Sequence, residues 1–134
     1  MIDLGQFEKL EGVVVHGDKR GRVLGFPTAN IAMAPLSVYP DDGVYSAIVR
    51  LPQSDRVFGA TASVGKNPTF DDVDTTRVEA FIHGLDEMLY GLVIELYLVK
   101  KLRDMRRFAT VDELIAQTQV DVDRSIENLK AIVG

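Results

Sequence analysis

The stretch that most constrains this protein is HGDKRGRVLGFPTAN, which runs from His16 to Asn30. Its first ten residues contain three glycines and three basic residues, a composition typical of a flexible loop with exposed backbone N–H groups. Backbone donors and cations both attract anions, so such a loop can wrap the phosphates of a nucleotide. The stretch matches neither a Walker A motif nor a Rossmann turn. Composition alone also fits a solvated hairpin loop, and both interpretations stay open.

The end of this stretch, Phe26-Pro27-Thr28-Ala29-Asn30, has a defined backbone preference. Pro27 fixes its own φ angle and biases Phe26 toward an extended conformation. In an extended segment the side chains of Thr28 and Asn30 point to the same face. A hydroxyl and a carboxamide side by side can hold Mg²⁺ together with phosphate oxygens and water. The alternative is a turn in which Thr28 and Asn30 bond to the backbone.

Short β-branched or alternating runs surround this stretch, separated by Gly, Pro and Asp-Gly turn signals. The predicted strands are Gly12–His16, Val44–Leu51, Phe58–Val64, Arg77–Ile82 and Leu92–Val99. Five or six short strands at this spacing predict a mainly β chain, folded as a small antiparallel sandwich or barrel.

The period of the apolar residues changes to that of a helix near residue 110. Thr110 can cap the first free N–H groups, and Glu113 can reach back to complete a capping box. The expected apolar stripe consists of Val111, Leu114, Ile115, Thr118, Val122, Ile126, Leu129 and Val133, and the expected polar face carries Asp112, Asp121, Asp123, Arg124, Glu127 and Lys130. We therefore expect a long C-terminal helix that closes one side of the sheet.

The composition is that of a globular protein. Its 134 residues include 15 Lys and Arg against 20 Asp and Glu, which gives a formal net charge of −5. This length predicts a single domain. The absence of Cys excludes disulfides, thiolate metal sites and a cysteine nucleophile. Without a signal peptide or a long apolar run, the expected location is the cytoplasm, with no membrane partner. The negative charge argues against a nucleic-acid partner.

Several motifs, taken in order, resemble those of the riboflavin kinases, or flavokinases. They are the glycine-rich run that ends in Pro27-Thr28-Ala29-Asn30, then Pro40–Tyr45, Ser63–Phe70, Val78–Ile82, Leu89–Gly91, Leu102-Arg103 and Phe108. The resemblance spans about Gly12 to Leu129 and extends to the kinase module of bifunctional bacterial FAD synthetases. It implies one riboflavin kinase-like domain over residues 1–134. The implied fold is a six-stranded antiparallel Greek-key barrel at about 8–108 with a C-terminal α-helix at about 110–132.

The resemblance also implies a reaction. Riboflavin kinases transfer the γ-phosphoryl group of MgATP to the terminal ribityl hydroxyl of riboflavin, which gives FMN and ADP. The implied cofactor is Mg²⁺, with ATP as co-substrate. The implied partners are riboflavin or FMN and ATP or ADP, and a monomer is the expected state. Many bacterial relatives also carry an adenylyltransferase domain; these 134 residues contain none, so FAD synthesis is not predicted.

Matched position by position, the family motifs imply roles for individual residues. Nucleotide binding falls to Gly17, Arg22, Phe81 and Tyr90, and contacts with Mg²⁺ and phosphate fall to Thr28 and Asn30. Flavin contacts fall to Arg103, Arg106 and Glu113. Glu79 is the residue expected to accept the proton during catalysis.

The strand pattern around Glu79 is compatible with that role. If Val78 and Ala80 pack inside, Glu79 faces outward toward the loops. An alcohol must lose its proton as the new P–O bond forms, and a positioned carboxylate can accept it. The alternative is an ordinary solvent-facing carboxylate on a strand.

The segment before the helix combines Arg103, Arg106 and Arg107 with Phe108. Cations beside an aromatic ring can hold a flavin ring by stacking and by hydrogen bonds to its carbonyls. The alternative is a basic surface loop in which Asp104 pairs with one of the arginines.

Two other functions compete with the kinase. One is a non-catalytic flavin- or nucleotide-binding module on the same barrel, against which the presence of Thr28, Asn30 and Glu79 speaks. The other is a barrel that binds single-stranded nucleic acid, which the net charge and the absence of Trp make the least favoured. His16 and His83 have no carboxylate at ligand spacing, so we expect no metal or acid–base role for them.

Overall fold

Strand-forming segments are followed by one long helix. The computed structural model describes residues 3–15, 28–33, 39–67, 72–85 and 87–133. The strands are β1 (Glu8–Val15), β2 (Ala29–Met33), β3 (Gly43–Leu51), β4 (Arg56–Asn67), β5 (Asp72–Ile82) and β6 (Val93–Arg103), and helix α1 is Val111–Val133. A 3₁₀ turn, Leu4–Gln6, precedes β1. None of the helices in these ranges has the length and apolar character needed to span a bilayer.

The strands close into a barrel in the order β1-β2-β5-β4-β3-β6, with every neighbouring pair antiparallel. β2 lies beside β5 rather than β3, which makes the connection a Greek key. The predicted mainly β architecture is confirmed, and the barrel is the arrangement that forms. The strand pattern missed β2, because this five-residue segment contains a single β-branched residue, Ile31.

Alternation along the strands fills the barrel interior with apolar side chains. Ala47, Ala60, Ala62 and Ala80 are completely buried, beside larger residues such as Leu96. β3 is buried on both faces, because its inner face lines this core and its outer face lies under α1. On that outer face Ile48 packs with Tyr97 and Leu129 in a second core.

The predicted start of the helix is confirmed. The backbone N–H of Glu113 donates to Oγ1 of Thr110 at 3.1 Å. Oε2 of Glu113 accepts in return from the N–H of Ala109 at 3.0 Å. The first bond satisfies an N–H group that the first helical turn leaves without an intrahelical partner, and the second ties the residue before the cap to the helix. The capping box therefore forms with the N–H of Ala109 in place of that of Thr110.

The predicted apolar stripe of the helix is confirmed in part, because Leu129 is buried, and it is wrong at two other members. Val111 and Ile126 are 47% and 44% exposed, whereas Asp121 and Ser125 are buried. The helix is therefore rotated about its axis, so that its buried face passes through Asp121, Ser125 and Leu129. An arginine on β6 provides the physical reason, because it pairs with the carboxylate of Asp121 as described below.

A buried carboxylate joins β1, β3 and β6 on the outer face of the barrel. Oε1 of Glu95 accepts hydrogen bonds from Nη1 of Arg50 at 2.9 Å and from the hydroxyl of Tyr97 at 2.8 Å. Nζ of Lys9 lies 3.6 Å from Oε2. Burial alone raises the pKa of Glu95, but the hydrogen bonds from Tyr97 and Arg50 outweigh it and hold the pKa below its ordinary value.

Replacing Glu95 with Gln should lower the free energy of unfolding at pH 7 by about 1–3 kcal/mol, because a neutral amide replaces a charged acceptor. A depressed folded-state pKa means that the carboxylate stabilises the fold fully above the ordinary carboxyl range, about pH 4, and less as the pH falls through the folded value. Urea denaturation of both chains should therefore show a difference that shrinks in acid.

The matched control is Glu11→Gln on the exposed outer face of β1, where the carboxylate lies 3.7 Å from Lys9. It should change stability by about 0.5 kcal/mol or less at pH 7. A difference between wild type and Glu95→Gln that stays constant in acid would show that the charge of Glu95 contributes nothing.

Candidate functional site

The outer faces of β2, β5 and β4 bring three polar residues into one row. Asn30 is directly opposite Glu79, and Glu79 is directly opposite Ser63. Opposed residues of antiparallel strands project to the same face, with Cβ atoms about 4.5–5.5 Å apart. Val78 and Ala80 are 2% and 0% exposed, whereas Glu79 is only partly buried, so the predicted outward orientation of Glu79 is confirmed.

A cleft of about 330 Å³ opens at the end of the barrel where β1 and β5 end and β2 begins, and Ala29 and Ala80, the neighbours of Asn30 and Glu79 in sequence, are part of its lining. Apolar residues and three residues with a hydroxyl, a carboxylate and a phenol line it together, so its walls are both polar and apolar: Val14, Thr28, Ala29, Ala80, Ile82, Leu85, Glu87, Met88, Leu89 and Tyr90. Thr28 lies two residues before Asn30, so it connects the cleft to the polar row. Walls that combine apolar side chains with polar groups suit a flat heterocyclic ligand that has both apolar faces and polar edges.

One wall of the cleft is the segment that follows β5, residues 83–85 and 87–92. Two backbone hydrogen bonds of 2.9 Å attach it to β1, from Gly91 to Val14 and from Val14 to Leu92. Arg56, at the start of β4, donates two hydrogen bonds of 3.0 and 2.8 Å to the two carboxylate oxygens of Glu87. These bonds hold the pKa of Glu87 below its ordinary value. We call this contact the Arg56–Glu87 clasp.

The predicted nucleotide-side residues lie in two places. Tyr90 lines the cleft. Phe81 lies on β5 two residues beyond Glu79 and opposite Thr61, and it is not among the cleft-lining residues of the described chain. Gly17 and Arg22 lie outside the described residues.

His83 directly follows the last residue of β5 and lies beside Phe81. Its Nε2 lies 2.8 Å from Oγ1 of Thr61, and its ring meets that of Phe81 edge-on at 5.6 Å between centroids. Burial lowers the pKa of His83. These contacts give His83 a packing role between β4 and the cleft wall, and the absence of a catalytic role stays a prediction.

The predicted flavin-side residues cluster where β6 leads into α1. The guanidinium of Arg103 lies 5.5 Å from the ring centroid of Phe108, and that of Arg106 lies 4.7 Å from it. Glu113 is exposed and forms the helix cap described above. The carboxylate of Asp104 lies 2.6 Å from Nζ of Lys101. The alternative in which Asp104 forms an ion pair with an arginine is therefore wrong.

Sequence reasoning missed Asp121, which binds Arg103 through both carboxylate oxygens at 2.9–3.1 Å. A polar residue on an amphipathic helix is expected to face solvent, so its local pattern gave no signal. The Arg56–Glu87 clasp was missed as well, because its partners lie 31 positions apart in the chain. Asn30 lies opposite Glu79 because of the register between β2 and β5, and the sequence of neither strand alone specifies that register.

The described residues contain no cluster of three His, Cys, Asp or Glu side chains that could hold a metal ion. At the beginning of β2 the oxygen donors are the hydroxyl of Thr28 and the carboxamide of Asn30, with Glu79 opposite Asn30. Two neutral donors do not balance the charge of a divalent cation. Such a cation would therefore bind here together with an anionic ligand.

Known proteins are similar to this chain in sequence and in fold. The bifunctional riboflavin kinase/FMN adenylyltransferase of Escherichia coli is 40% identical over 120 residues, which cover 88% of this chain and 37% of that protein. The crystal structure of riboflavin kinase from Trypanosoma brucei has a TM-score of 0.61 at 26% identity and covers 91% of this chain and 79% of that chain. A Streptococcus pneumoniae crystal structure described as a macrolide-efflux protein has a TM-score of 0.78 at 37% identity, covering 90% of this chain and 39% of that chain.

The chain spans less than two fifths of the length of the bifunctional relatives that it matches. Its fold is the closed antiparallel barrel with one C-terminal helix that it shares with the trypanosomal kinase. The pattern of the flavokinase family matches residues 4–129, and the chain belongs to the riboflavin kinase family.

The Arg56–Glu87 clasp should hold the cleft wall in place without contributing much to global stability, because both side chains are exposed. Replacing Arg56 with Gln should speed hydrogen–deuterium exchange in residues 87–92 and leave the exchange of β3 and β6 unchanged. Lys130→Gln, which breaks an exposed ion pair of 3.0 Å with Glu127 on α1, is the control. Equal exchange of residues 87–92 in all three chains would show that the clasp does not restrain the wall.

Proposed function

We propose that this chain is a riboflavin kinase, which transfers the γ-phosphoryl group of ATP to the terminal ribityl hydroxyl of riboflavin to give FMN and ADP. Family membership supports the reaction class. The structural observation that carries the proposal is the register that sets Asn30 opposite Glu79, beside Thr28 at the edge of the cleft. A base and metal-binding oxygens must be adjacent for this transfer.

Glu79 acts as the general base. The ribityl oxygen forms a bond to the γ-phosphorus while the bond between that phosphorus and the bridging oxygen of ADP breaks. The hydroxyl proton passes to the carboxylate of Glu79, which faces outward beside two uncharged residues, Asn30 and Ser63. Such a base contributes about 10²–10⁴-fold to the rate, and most of the remaining acceleration comes from alignment and charge neutralisation.

Mg²⁺ fits the donor set near the cleft. Thr28 and Asn30 would hold it through neutral oxygens, with the phosphates of ATP as its other ligands. When bound, the ion neutralises the negative charge of the transferring phosphoryl group. The chain contributes the orientation, because Thr28 and Asn30 occupy adjacent outward positions at the start of β2.

The two substrates are assigned to the two sides of this row. We assign the cleft to the nucleotide, because its apolar side chains and Tyr90 suit a purine ring and Thr28 lies at its edge. Gly17 and Arg22 are proposed for its phosphates, and Phe81 for a further nucleotide contact, on the family motif. Arg103, Arg106 and Glu113 are proposed for the flavin, at the junction of β6 and α1.

No observation favours the non-catalytic binding module. We also propose that the chain acts as a monomer in the cytoplasm, and that neither nucleic acid nor a membrane takes part. A cysteine-free sequence supports the compartment, and a net charge of −5 supports the absence of a nucleic-acid partner.

The direct test is FMN formation. The purified chain should convert riboflavin to FMN in the presence of ATP and Mg²⁺, as measured by chromatographic separation of the flavins, and EDTA should stop the conversion. If no FMN forms but riboflavin or ADP binds, the protein is a binding module. If neither ligand binds, family membership does not extend to this activity.

The test of the base is Glu79→Gln, which retains the shape of the side chain and removes its proton affinity. Riboflavin and ADP should bind with near-normal affinity, while kcat falls by about 10²–10⁴-fold. Glu11→Gln, an outward-facing carboxylate on β1, should retain wild-type kcat. A fully active Glu79→Gln chain would remove Glu79 from the base role.

A further inference from the structure

A buried carboxylate on α1 has no part in the proposed reaction. Asp121 is 2% exposed, although it belongs to the face of the helix that the sequence predicts to be polar. A carboxylate is costly to bury unless charged and hydrogen-bonded partners surround it. Asp121 therefore lies in that place because of its partners.

Asp121 and the backbone of Asp104 hold the guanidinium of Arg103 in one orientation. Nε of Arg103 lies 3.1 Å from both oxygens of Asp121, and Nη2 donates to Oδ2 at 2.9 Å. The third nitrogen, Nη1, donates to the backbone oxygen of Asp104 at 3.1 Å. Gln117, one helical turn before Asp121, donates to Oδ1 at 3.0 Å and orients the carboxylate. All three guanidinium nitrogens of Arg103 are thus engaged within the protein.

The guanidinium of Arg103 in turn contacts an aromatic ring. The guanidinium of Arg103 lies 5.5 Å from the ring centroid of Phe108, which is 6% exposed. Arg106 lies 4.7 Å from the same centroid, and its side chain is exposed. Cations this close to an aromatic ring are attracted to it. Arg103 has a side chain only 16% exposed, so Arg106 is the arginine of this pair that offers a charge to a ligand.

We infer that Asp121 is a positioning residue for riboflavin binding, which fixes Arg103 and, through Phe108, sets the position of Arg106. The inference rests on the proposed function, because the flavin-binding role of Arg106 belongs to that proposal. It refines the assignment made above, in which both arginines serve the flavin: Arg103 serves it indirectly by ordering the junction of β6 and α1, and Arg106 contacts it.

The test compares two Asp→Asn substitutions on the same helix. Asp121→Asn replaces the buried acceptor, whereas Asp123→Asn replaces an exposed one that accepts from Gln119 at 2.9 Å with the same four-residue spacing. Riboflavin affinity is measured by quenching of its fluorescence, and KM for riboflavin, KM for ATP and kcat by steady-state kinetics. Asp121→Asn should weaken riboflavin binding and raise its KM by about tenfold, with KM for ATP and kcat within about twofold of wild type. Asp123→Asn should match wild type in all four.

A double-mutant cycle tests the route of the effect. If Asp121 acts through Arg106, then Asp121→Asn and Arg106→Gln should weaken riboflavin binding by less together than the product of their separate effects. Fully multiplicative effects would overturn the inference, as would an unchanged riboflavin affinity in Asp121→Asn. A rise in KM for ATP and a fall in kcat as large as the effect on riboflavin would also overturn it, because they would indicate general damage to the fold.

Gln117→Ala provides a second, milder variant that removes one hydrogen bond to Asp121 and keeps the ion pair. It should weaken riboflavin binding in the same direction by a smaller factor, and it decides the matter if Asp121→Asn does not fold. The binding readout also separates the two proposals. A wild-type chain that binds riboflavin without forming FMN would refute the kinase, whereas normal riboflavin binding in Asp121→Asn and Gln117→Ala would refute only the positioning role.

Discussion

Closure of the barrel, in which β1 pairs with β2 on one side and β6 on the other, is the constraint on which the other features depend. In a closed barrel of this size every second side chain of a strand points inward and must be apolar. Ala80 is completely buried, so its neighbour Glu79 points outward. A slip of β5 by one residue would bury the carboxylate and expose the alanine. The polar chemistry is therefore confined to the outer face and to the ends of the barrel.

Helix α1 divides that outer face into two parts. Over β3, β4 and β6 it buries a second core that includes Ile48 and Leu129, whereas the face of β2 and β5 retains the row with Asn30 and Glu79. The same helix carries Asp121 to the end of β6, where it pairs with Arg103. One element thus stabilises the barrel and orders the loop beside the site. This arrangement explains why the helix is rotated away from its most apolar stripe.

Local sequence predicted what local interactions determine. The helix cap at Thr110 and Glu113 is encoded within four residues, and the alternation around Glu79 within three, and both are confirmed. Long-range pairings were out of reach. β2 is too short for a pattern, and the pairing of Asn30 with Glu79 requires strands almost fifty residues apart. Asp121 read as a solvent-facing residue because its partner lies on another element. The nucleotide-binding roles of Gly17 and Arg22, in the loop before Pro27, depend on the family motif alone.

The charge of the protein limits how the proposed kinase site could bind an anionic nucleotide. A net charge of −5 opposes the approach of ATP, although salt screens charges beyond about 8 Å. Attraction must therefore come from groups within one Debye length of the phosphates. Metal-binding carboxylates at positions 28 and 30 would add negative charge there and would neutralise the positive charge of the cation. In the proposed reaction the neutral oxygens of Thr28 and Asn30 would orient Mg²⁺ and leave its charge to the phosphates, while Glu79 would supply the single carboxylate that proton transfer requires.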